Sequence, residues 1–161
     1  MRSLVRAAAL LALAFGCSPV TMDNRQADIE VLPDELESDP GYPTGYEEWT
    51  KLNTAPIVHK DDGEARNLYA NAKAKGSRKG PFPAGSVLVK AQAHLDNQGR
   101  PGPLFRLSVM TKGTGKANGG WEFATFDAET RKSEQIETEV CTICHAQRAD
   151  SDFVFTDRSK F

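Results

Sequence analysis

The chain carries a C-x-x-C-H sequence near its C-terminal end, formed by Cys141, Cys144 and His145. This spacing is typical of covalent haem c attachment, because two thiols about one helical turn apart reach the two vinyl groups of one porphyrin. The adjacent imidazole can bind the iron as an axial ligand. A redox dithiol or a structural zinc site is the alternative, but zinc usually takes four protein ligands, and no second Cys/His pair follows. We therefore predict one covalent haem c, with His145 on the iron.

The third cysteine, Cys17, follows a sequence with the features of an export signal. Arg2 and Arg6 make the start positive, and residues 7–15 form an uninterrupted apolar run. This pattern predicts a bacterial lipoprotein signal peptide over residues 1–16 and lipidation of Cys17. An ordinary secretory signal or an uncleaved helix is the alternative, although the apolar run is too short to span a bilayer.

Haem attachment and export indicate the same compartment, because c-type haem is attached outside the cytoplasmic membrane. We expect the protein on the periplasmic side of the bacterial cell envelope, in contact with the membrane through its lipid anchor only. Ser18, rather than an aspartate, follows Cys17. By analogy with lipoprotein sorting, this favours the outer membrane.

Composition divides the mature chain into a tether and one domain. Residues 18–40 contain seven acidic residues against Arg25 alone, no aromatic residue and three prolines. Such a segment buries too little apolar surface to fold, so we predict an acidic, disordered tether over residues 17–40. The remaining residues 41–161, about 120 in number, suffice for one single-core domain. The sequence has no basic stripe of the kind that binds nucleic acid, so we expect no nucleic-acid partner.

Alternating hydrophobicity predicts a mainly antiparallel sheet. Apolar and polar residues alternate over residues 86–95, a turn sequence follows at residues 97–99, and residues 104–110 can run back as the partner strand. Residues 121–126 and 66–71 give two more candidate strands. Helices are expected at residues 46–52, 72–78 and 134–147, the last of which carries the haem motif. The predicted fold class is α+β, mainly β, with an antiparallel sheet, peripheral helices and the haem-attachment helix near the C-terminus.

Several further segments accompany the haem motif in a characteristic order. They are Y-E-E-W at 46–49, R-N-L-Y-A-N at 66–71, F-P-A-G-S-V-L-V-K at 82–90, G-G-W-E-F at 119–123 and D-S-D-F-V-F-T at 150–156. With these segments the sequence resembles the cytochrome P-460 family and the related cytochromes c′-beta over most of residues 44–161. The resemblance implies a mainly antiparallel β fold, a homodimer, and a five-coordinate haem with His145 proximal and an open distal face.

The resemblance also implies roles for two residues of the sheet. In the P-460 members a lysine is covalently joined to the porphyrin edge, and the matching position here is Lys90. A solvent-facing lysine is the alternative. The distal carboxylate that accepts protons in enzymes oxidising hydroxylamine aligns with Arg106, which stays protonated and cannot act as a general base. Arg106 could instead donate hydrogen bonds to a bound ligand or face solvent.

Three functions remain open at this stage. The first is an oxidoreductase acting on hydroxylamine or nitric oxide, with Lys90 and Arg106 in the catalytic site and a periplasmic electron-transfer partner. The second is a gas-binding protein of c′-beta type without turnover, whose apolar distal pocket draws on Phe82, Leu104 and Phe105. The third is an electron-transfer cytochrome with Met110 as sixth ligand, although a strand methionine more often fills a core.

Three other residues near these segments have possible roles at a haem. His59 and His94 are further candidate ligands, but neither lies in a stretch with metal-binding spacing. Asp152 could orient the haem side of the domain through His145, or form a local cap or salt bridge.

Overall fold

The computed structural model describes residues 38–39, 41–136 and 138–161. These residues fall within one compact unit, Pro33–Phe161. The predicted signal peptide, Cys17 and nearly all of the predicted tether lie outside the described residues. Asp39, which we assigned to the tether, accepts hydrogen bonds from the backbone and hydroxyl of Ser133 at 2.7 and 2.9 Å. Within the described part of the chain, no helix has the length and apolar character needed to cross a membrane.

The domain is a six-stranded antiparallel sheet. Its strands are β1 (Thr50–Lys51), β2 (Ile57–His59), β3 (Glu64–Ala70), β4 (Val87–Leu95), β5 (Pro101–Lys112) and β6 (Trp121–Asp127). The spatial order is β1-β3-β4-β5-β6, and β2 also pairs with β3. The α-helix α1 (Thr138–Ala146) follows the sheet, and short 3₁₀ helices occupy Tyr46–Glu48, Ala117–Gly120, Ala149–Ser151 and Arg158–Lys160. The mainly antiparallel α+β prediction is confirmed.

The central hairpin, β4 to β5, forms where the alternating pattern predicts it. Its turn is closed by the Asp96 carboxylate, which accepts hydrogen bonds from the backbone N–H groups of Gln98 and Arg100 at 2.8 and 2.9 Å. Gly99 adopts a φ of 74°, a left-handed conformation that favours glycine. The turn therefore sets the register of the two longest strands.

Alternation gives the sheet two different faces, and each packs its own core. The Lys90 face carries Leu88, Lys90 and Gln92, and the Val89 face carries Val89 and Ala91. The core of the Lys90 face contains Leu52, Ala70, Ala74, Phe82, Leu88, Trp121, Val154 and Phe161. The core of the Val89 face contains Tyr46, Val89, Ala91, Leu107, Val109 and Phe126. On the Lys90 face the apolar cluster extends only to the level of Leu68, and charged residues follow.

The helix predictions for the N-terminal half of the domain were wrong. Residues 46–52 form a single 3₁₀ turn and then enter β1, because the chain must pair with β3. Residues 72–78 form successive turns rather than a helix. There the Asn71 side chain accepts hydrogen bonds from the backbone N–H groups of both Ala74 and Val87, which ties the segment to the start of β4.

The predicted helix over residues 134–147 is shorter than expected. Ser133 forms an isolated bridge with Phe126, and the Glu134 N–H donates to the Thr125 carbonyl at 2.8 Å. These residues therefore continue along the edge of β6, and α1 begins only at Thr138.

Two leucines of β5 differ in burial, so we expect their substitutions to differ in their effect on stability. Leu107 is 0% exposed and Leu104 is 42% exposed on the same strand. Leu107→Ala should lower the free energy of unfolding by about 2–5 kcal/mol, because it leaves a cavity in the core of the Val89 face. Leu104→Ala should change it by less than about 1 kcal/mol. Urea unfolding of both variants checks this, and equal losses would contradict the assigned packing.

Candidate haem site

Helix α1 carries the three residues of the haem motif. Cys144 and His145 lie three and four residues after Cys141, so both are about one helical turn from it and near it on the helix surface. Both cysteines are free thiols, Cys141 half-buried and Cys144 exposed. The helix therefore presents two thiols and an imidazole together.

The His145 ring is held in a defined orientation. Its Nδ1 lies 2.7 Å from the carbonyl oxygen of Phe153, and the ring packs between Phe123 and Phe155 with centroid distances of 5.0 and 5.2 Å. Because a carbonyl can only accept, Nδ1 carries the proton and Nε2 keeps a free lone pair. Burial lowers the pKa of His145, which favours the neutral imidazole that binds iron.

The register of the strands orders the Lys90 face into rows that lead away from His145. The row that contains Phe123, which contacts His145, also contains Met110 and Leu88. The next row contains Leu68, Lys90, Ser108 and Thr125, followed by a row of Arg66, Gln92, Arg106 and Asp127 and then by Glu64 and His94. The face thus changes from apolar beside His145 to charged at its far end, with Lys90 at the boundary.

Lys90 is half-buried on this face. Burial lowers its pKa, the neighbouring Arg66 lowers it further, and the charges of Glu64 and Cys141 oppose the change. The positive charge of Lys90 in turn contributes to the low pKa of His145. Lys90 therefore lies on the face that packs against His145, one row beyond Phe123.

A hydrogen-bonded network surrounds Glu64, a residue that we did not single out from the sequence. Its Oε2 accepts hydrogen bonds from Arg66 Nε and Gln92 Nε2, both at 3.1 Å. Gln92 Oε1 in turn accepts from the Ser108 hydroxyl at 2.7 Å. The Glu64 side chain is only 15% exposed. The face that bears Lys90 therefore contains a carboxylate, although the strand expected to supply one has Arg106 instead.

Arg106 is paired with a second carboxylate. Its Nε and Nη2 donate to Glu134 Oε2 and Oε1 at 2.6 and 3.3 Å, and the pair is partly buried. The hydrogen bond to Glu134 raises the pKa of Arg106 further. Arg106 is therefore ion-paired, with 32% of its side chain exposed. Glu134 went unnoticed because the sequence pattern placed it inside a helix.

Phe105 reaches the Lys90 face through a β-bulge. Gln92 pairs with Arg106 and Ala93 pairs with Leu104, so Phe105 is an extra residue without a partner on β4. Its ring stacks on His94 with a centroid distance of 4.0 Å, and the Arg106 guanidinium lies 5.4 Å from its centroid. Phe105 thus lies beside the charged rows.

The other distal-pocket candidates lie elsewhere. Phe82 is 2% exposed and packs edge-on against Trp121 and Phe161 within the core, with centroid distances of 5.5 and 4.9 Å. Leu104 pairs with Ala93, which belongs to the Val89 face. Met110 packs against the apolar cluster of the Lys90 face, as expected for a core methionine.

These residues fit a haem better than a bare metal ion. Two free thiols and an imidazole with an available Nε2 are the groups that a covalently attached porphyrin would use. Within the described residues, no three His, Cys, Asp or Glu side chains are grouped closely enough to hold a metal ion. The zinc alternative therefore has no ligand set in this part of the chain.

Comparison with models of known protein families gives a match over most of the domain. The family model described as Cytochrome P460 matches residues 43–156, which cover most of the chain and include the haem motif. The match confirms the resemblance seen in the sequence. A comparison with curated proteins gives no significant match.

Proposed function

This chain belongs to the cytochrome P460 family, and from that premise we propose that it carries one covalent haem c and oxidises hydroxylamine or a similar small nitrogen compound. A haem-binding role follows from the family itself. The observation that supports turnover is the largely buried Glu64 carboxylate on the same face as Lys90. Bound haem would supply an iron that holds the nitrogen atom and accepts electrons from it.

His145 supplies the axial position in this proposal. The Phe153 carbonyl fixes the proton on Nδ1, so Nε2 keeps the lone pair that would bind iron, and the flanking Phe123 and Phe155 rings limit rotation of the imidazole. The thiols of Cys141 and Cys144 would add across the two vinyl groups of the porphyrin, and the two thioether bonds would keep the haem attached. We propose that His145 would be the single protein ligand of the iron, because Met110 packs against the core.

Glu64 is the residue best suited to take protons from the substrate. Oxidation of an N–H or O–H bond releases protons, and a positioned carboxylate can accept them. Among the described residues, every hydrogen bond to Glu64 is accepted by Oε2, so Oε1 stays available. Glu134, in contrast, uses both oxygens to bind Arg106. We therefore assign Arg106 to holding Glu134 and to donating hydrogen bonds near the ligand.

Lys90 is suited to the covalent bond with the porphyrin edge. Its lowered pKa favours the neutral amine, which is the nucleophilic form. The bond would replace one N–H and one porphyrin C–H with an N–C bond, so two electrons and two protons must pass to an oxidant such as peroxide. The bond would also anchor the macrocycle at the boundary between the apolar and charged rows.

A gas-binding protein without turnover is the second candidate. The stacked Phe105 and His94 rings favour it, because an aromatic ring beside the ligand site would admit small neutral molecules. The adjacent charged rows weigh against a wholly apolar pocket, which is why oxidation of a polar substrate is proposed first.

The cellular setting remains as the sequence predicts it. We propose a lipoprotein that is anchored through Cys17 to the periplasmic face of the envelope, forms a homodimer and passes electrons to a periplasmic partner. The signal sequence and the place of c-type haem attachment support this setting. The homodimer rests on the family resemblance.

Optical spectra of the purified holoprotein test the proposed function. We expect a high-spin spectrum, a change on adding nitric oxide, and turnover of hydroxylamine with an artificial electron acceptor. A red-shifted ferrous Soret band that survives denaturation would indicate a further covalent bond to the porphyrin, and loss of this band in Lys90→Met but not in Lys51→Met on β1 would locate the bond at Lys90. Ligand binding without turnover would favour the gas-binding candidate. A low-spin, six-coordinate spectrum that is indifferent to both compounds would contradict the proposal.

A further inference from the structure

A buried ion pair lies beside the haem motif without belonging to it. Lys112, at the end of β5, is 6% exposed. Its Nζ donates to Asp152 Oδ1 and Oδ2 at 2.7 and 2.8 Å, and to the Gly119 carbonyl at 2.6 Å. A buried ion pair often contributes little net stability compared with apolar side chains of similar volume. Its retention therefore suggests a role in fixing geometry.

Three other parts of the domain bind Asp152. Besides binding Lys112, its Oδ2 accepts a hydrogen bond from the Phe82 backbone N–H at 2.7 Å. Its own carbonyl accepts from Trp121 Nε1 at 2.8 Å. Residue 152 is thus held from β5, from the loop before β4 and from the start of β6, so its backbone has little freedom to rotate.

The backbone at this point is strained. Asp152 and Phe153 have φ values of 53° and 65°, and two successive non-glycine residues in the left-handed region cost about 1–2 kcal/mol each. The Phe153 ring also lies against Gly119, where an added Cβ would come within 2.5 Å of it. Such strain persists only where the surroundings determine it, and here it directs the Phe153 carbonyl toward His145 Nδ1 at 2.7 Å.

We propose that Lys112 and Asp152 are positioning residues for the axial histidine. The ion pair holds the strained Asp152–Phe153 backbone, and this backbone holds the carbonyl that sets the orientation and basicity of the His145 ring. A strong hydrogen bond at Nδ1 makes an imidazole a stronger electron donor to its metal, which stabilises the oxidised iron. The inference rests on the proposed attachment of haem at His145, and it adds residues that touch neither haem nor substrate.

Substitution of the ion pair in the full-length holoprotein tests this inference. Asp152→Asn keeps the shape of the side chain but removes the charge that holds Lys112. We expect the ratio of reduced to oxidised haem at a fixed potential to rise about tenfold, equal to about 59 mV for one electron. The iron–histidine stretching frequency of the ferrous protein, measured by resonance Raman spectroscopy, should fall. Lys112→Met should act in the same direction, and Lys112→Arg should restore part of the wild-type value.

Two further variants separate positioning from mere stabilisation. Gly119→Ala pushes on the Phe153 ring and leaves both charges of the ion pair in place, so it should shift the same two readouts even if the Asp152 variant folds poorly. Asp96→Asn, in the exposed β4–β5 turn, should lower stability and leave both readouts unchanged. Normal potentials and stretching frequencies in the folded Asp152, Lys112 and Gly119 variants would overturn the inference. Absence of covalent haem from the wild type would instead overturn the proposed function.

Discussion

The double substitution of Cys141 and Cys144 by serine, made together with Lys90→Met so that no lysine bond can hold the porphyrin, should abolish covalent haem in the exported protein. Each thioether bond requires a thiol, and the two residues are the only candidates within the motif. We expect the haem stain of a denaturing gel to disappear completely for this combined variant. The single cysteine variants in the same Lys90→Met background should retain haem through one bond, with a changed pyridine haemochrome spectrum. Because Cys144 is exposed and Cys141 half-buried, the sheet itself should still fold.

The remaining cysteine provides a matched control. Cys17→Ser removes the predicted lipidation site and leaves the motif intact, so the protein should keep its haem and lose its association with the membrane. Zinc in the purified wild-type protein, or covalent haem in the combined variant, would contradict the assignment. The two outcomes concern different parts of the chain, so a failed lipid prediction would leave the haem prediction standing.

The sheet could be predicted from the sequence because its signal is local. Alternation over residues 86–95 and a turn sequence after it fix which side chains share a face. This alternation alone predicts that Lys90 and Val89 lie on opposite faces of the strand. Pairing of distant strands then supplies what local pattern cannot. Glu64 lies just before the predicted strand over residues 66–71, and only the pairing of β3 with β4 brings it beside Gln92.

The structure places some candidate residues away from the Lys90 face for specific physical reasons. The bulge at Phe105 reverses the face of the residues before it, so Leu104 points away from Lys90, although alternation from Arg106 would place it on the Lys90 face. Phe82 is an apolar aromatic residue of the kind that lines ligand pockets. Long-range packing instead places its ring under the Arg158 guanidinium, which lies 3.9 Å from the Phe82 ring centroid. The family resemblance predicts a distal carboxylate at position 106 on β5, where this chain has arginine. The structure instead has Glu64 on β3 and Glu134 at the edge of β6 near this position.

The two carboxylates differ in what they are free to do, and this difference predicts the second large effect. Glu64→Gln should lower the turnover of hydroxylamine by about 100-fold or more, because a general base typically contributes about 100-fold to 10,000-fold. An amide keeps the shape of the side chain and can still accept from Arg66 and Gln92, but it cannot take up a proton. Haem content and the resting optical spectrum should therefore stay as in the wild type. Steady-state assays at saturating hydroxylamine measure the effect.

Two neighbouring acids serve as controls for Glu64. Asp62 binds the same Arg66 guanidinium, but its side chain is 51% exposed, so Asp62→Asn should change turnover less than about threefold. Glu134→Gln should have an intermediate effect, because it frees Arg106 without removing an available base. If Glu134→Gln abolished turnover and Glu64→Gln did not, the proton acceptor would be Glu134, and Arg106 would have to release it during the reaction. Unchanged turnover in both variants would mean that protons leave the substrate directly to water.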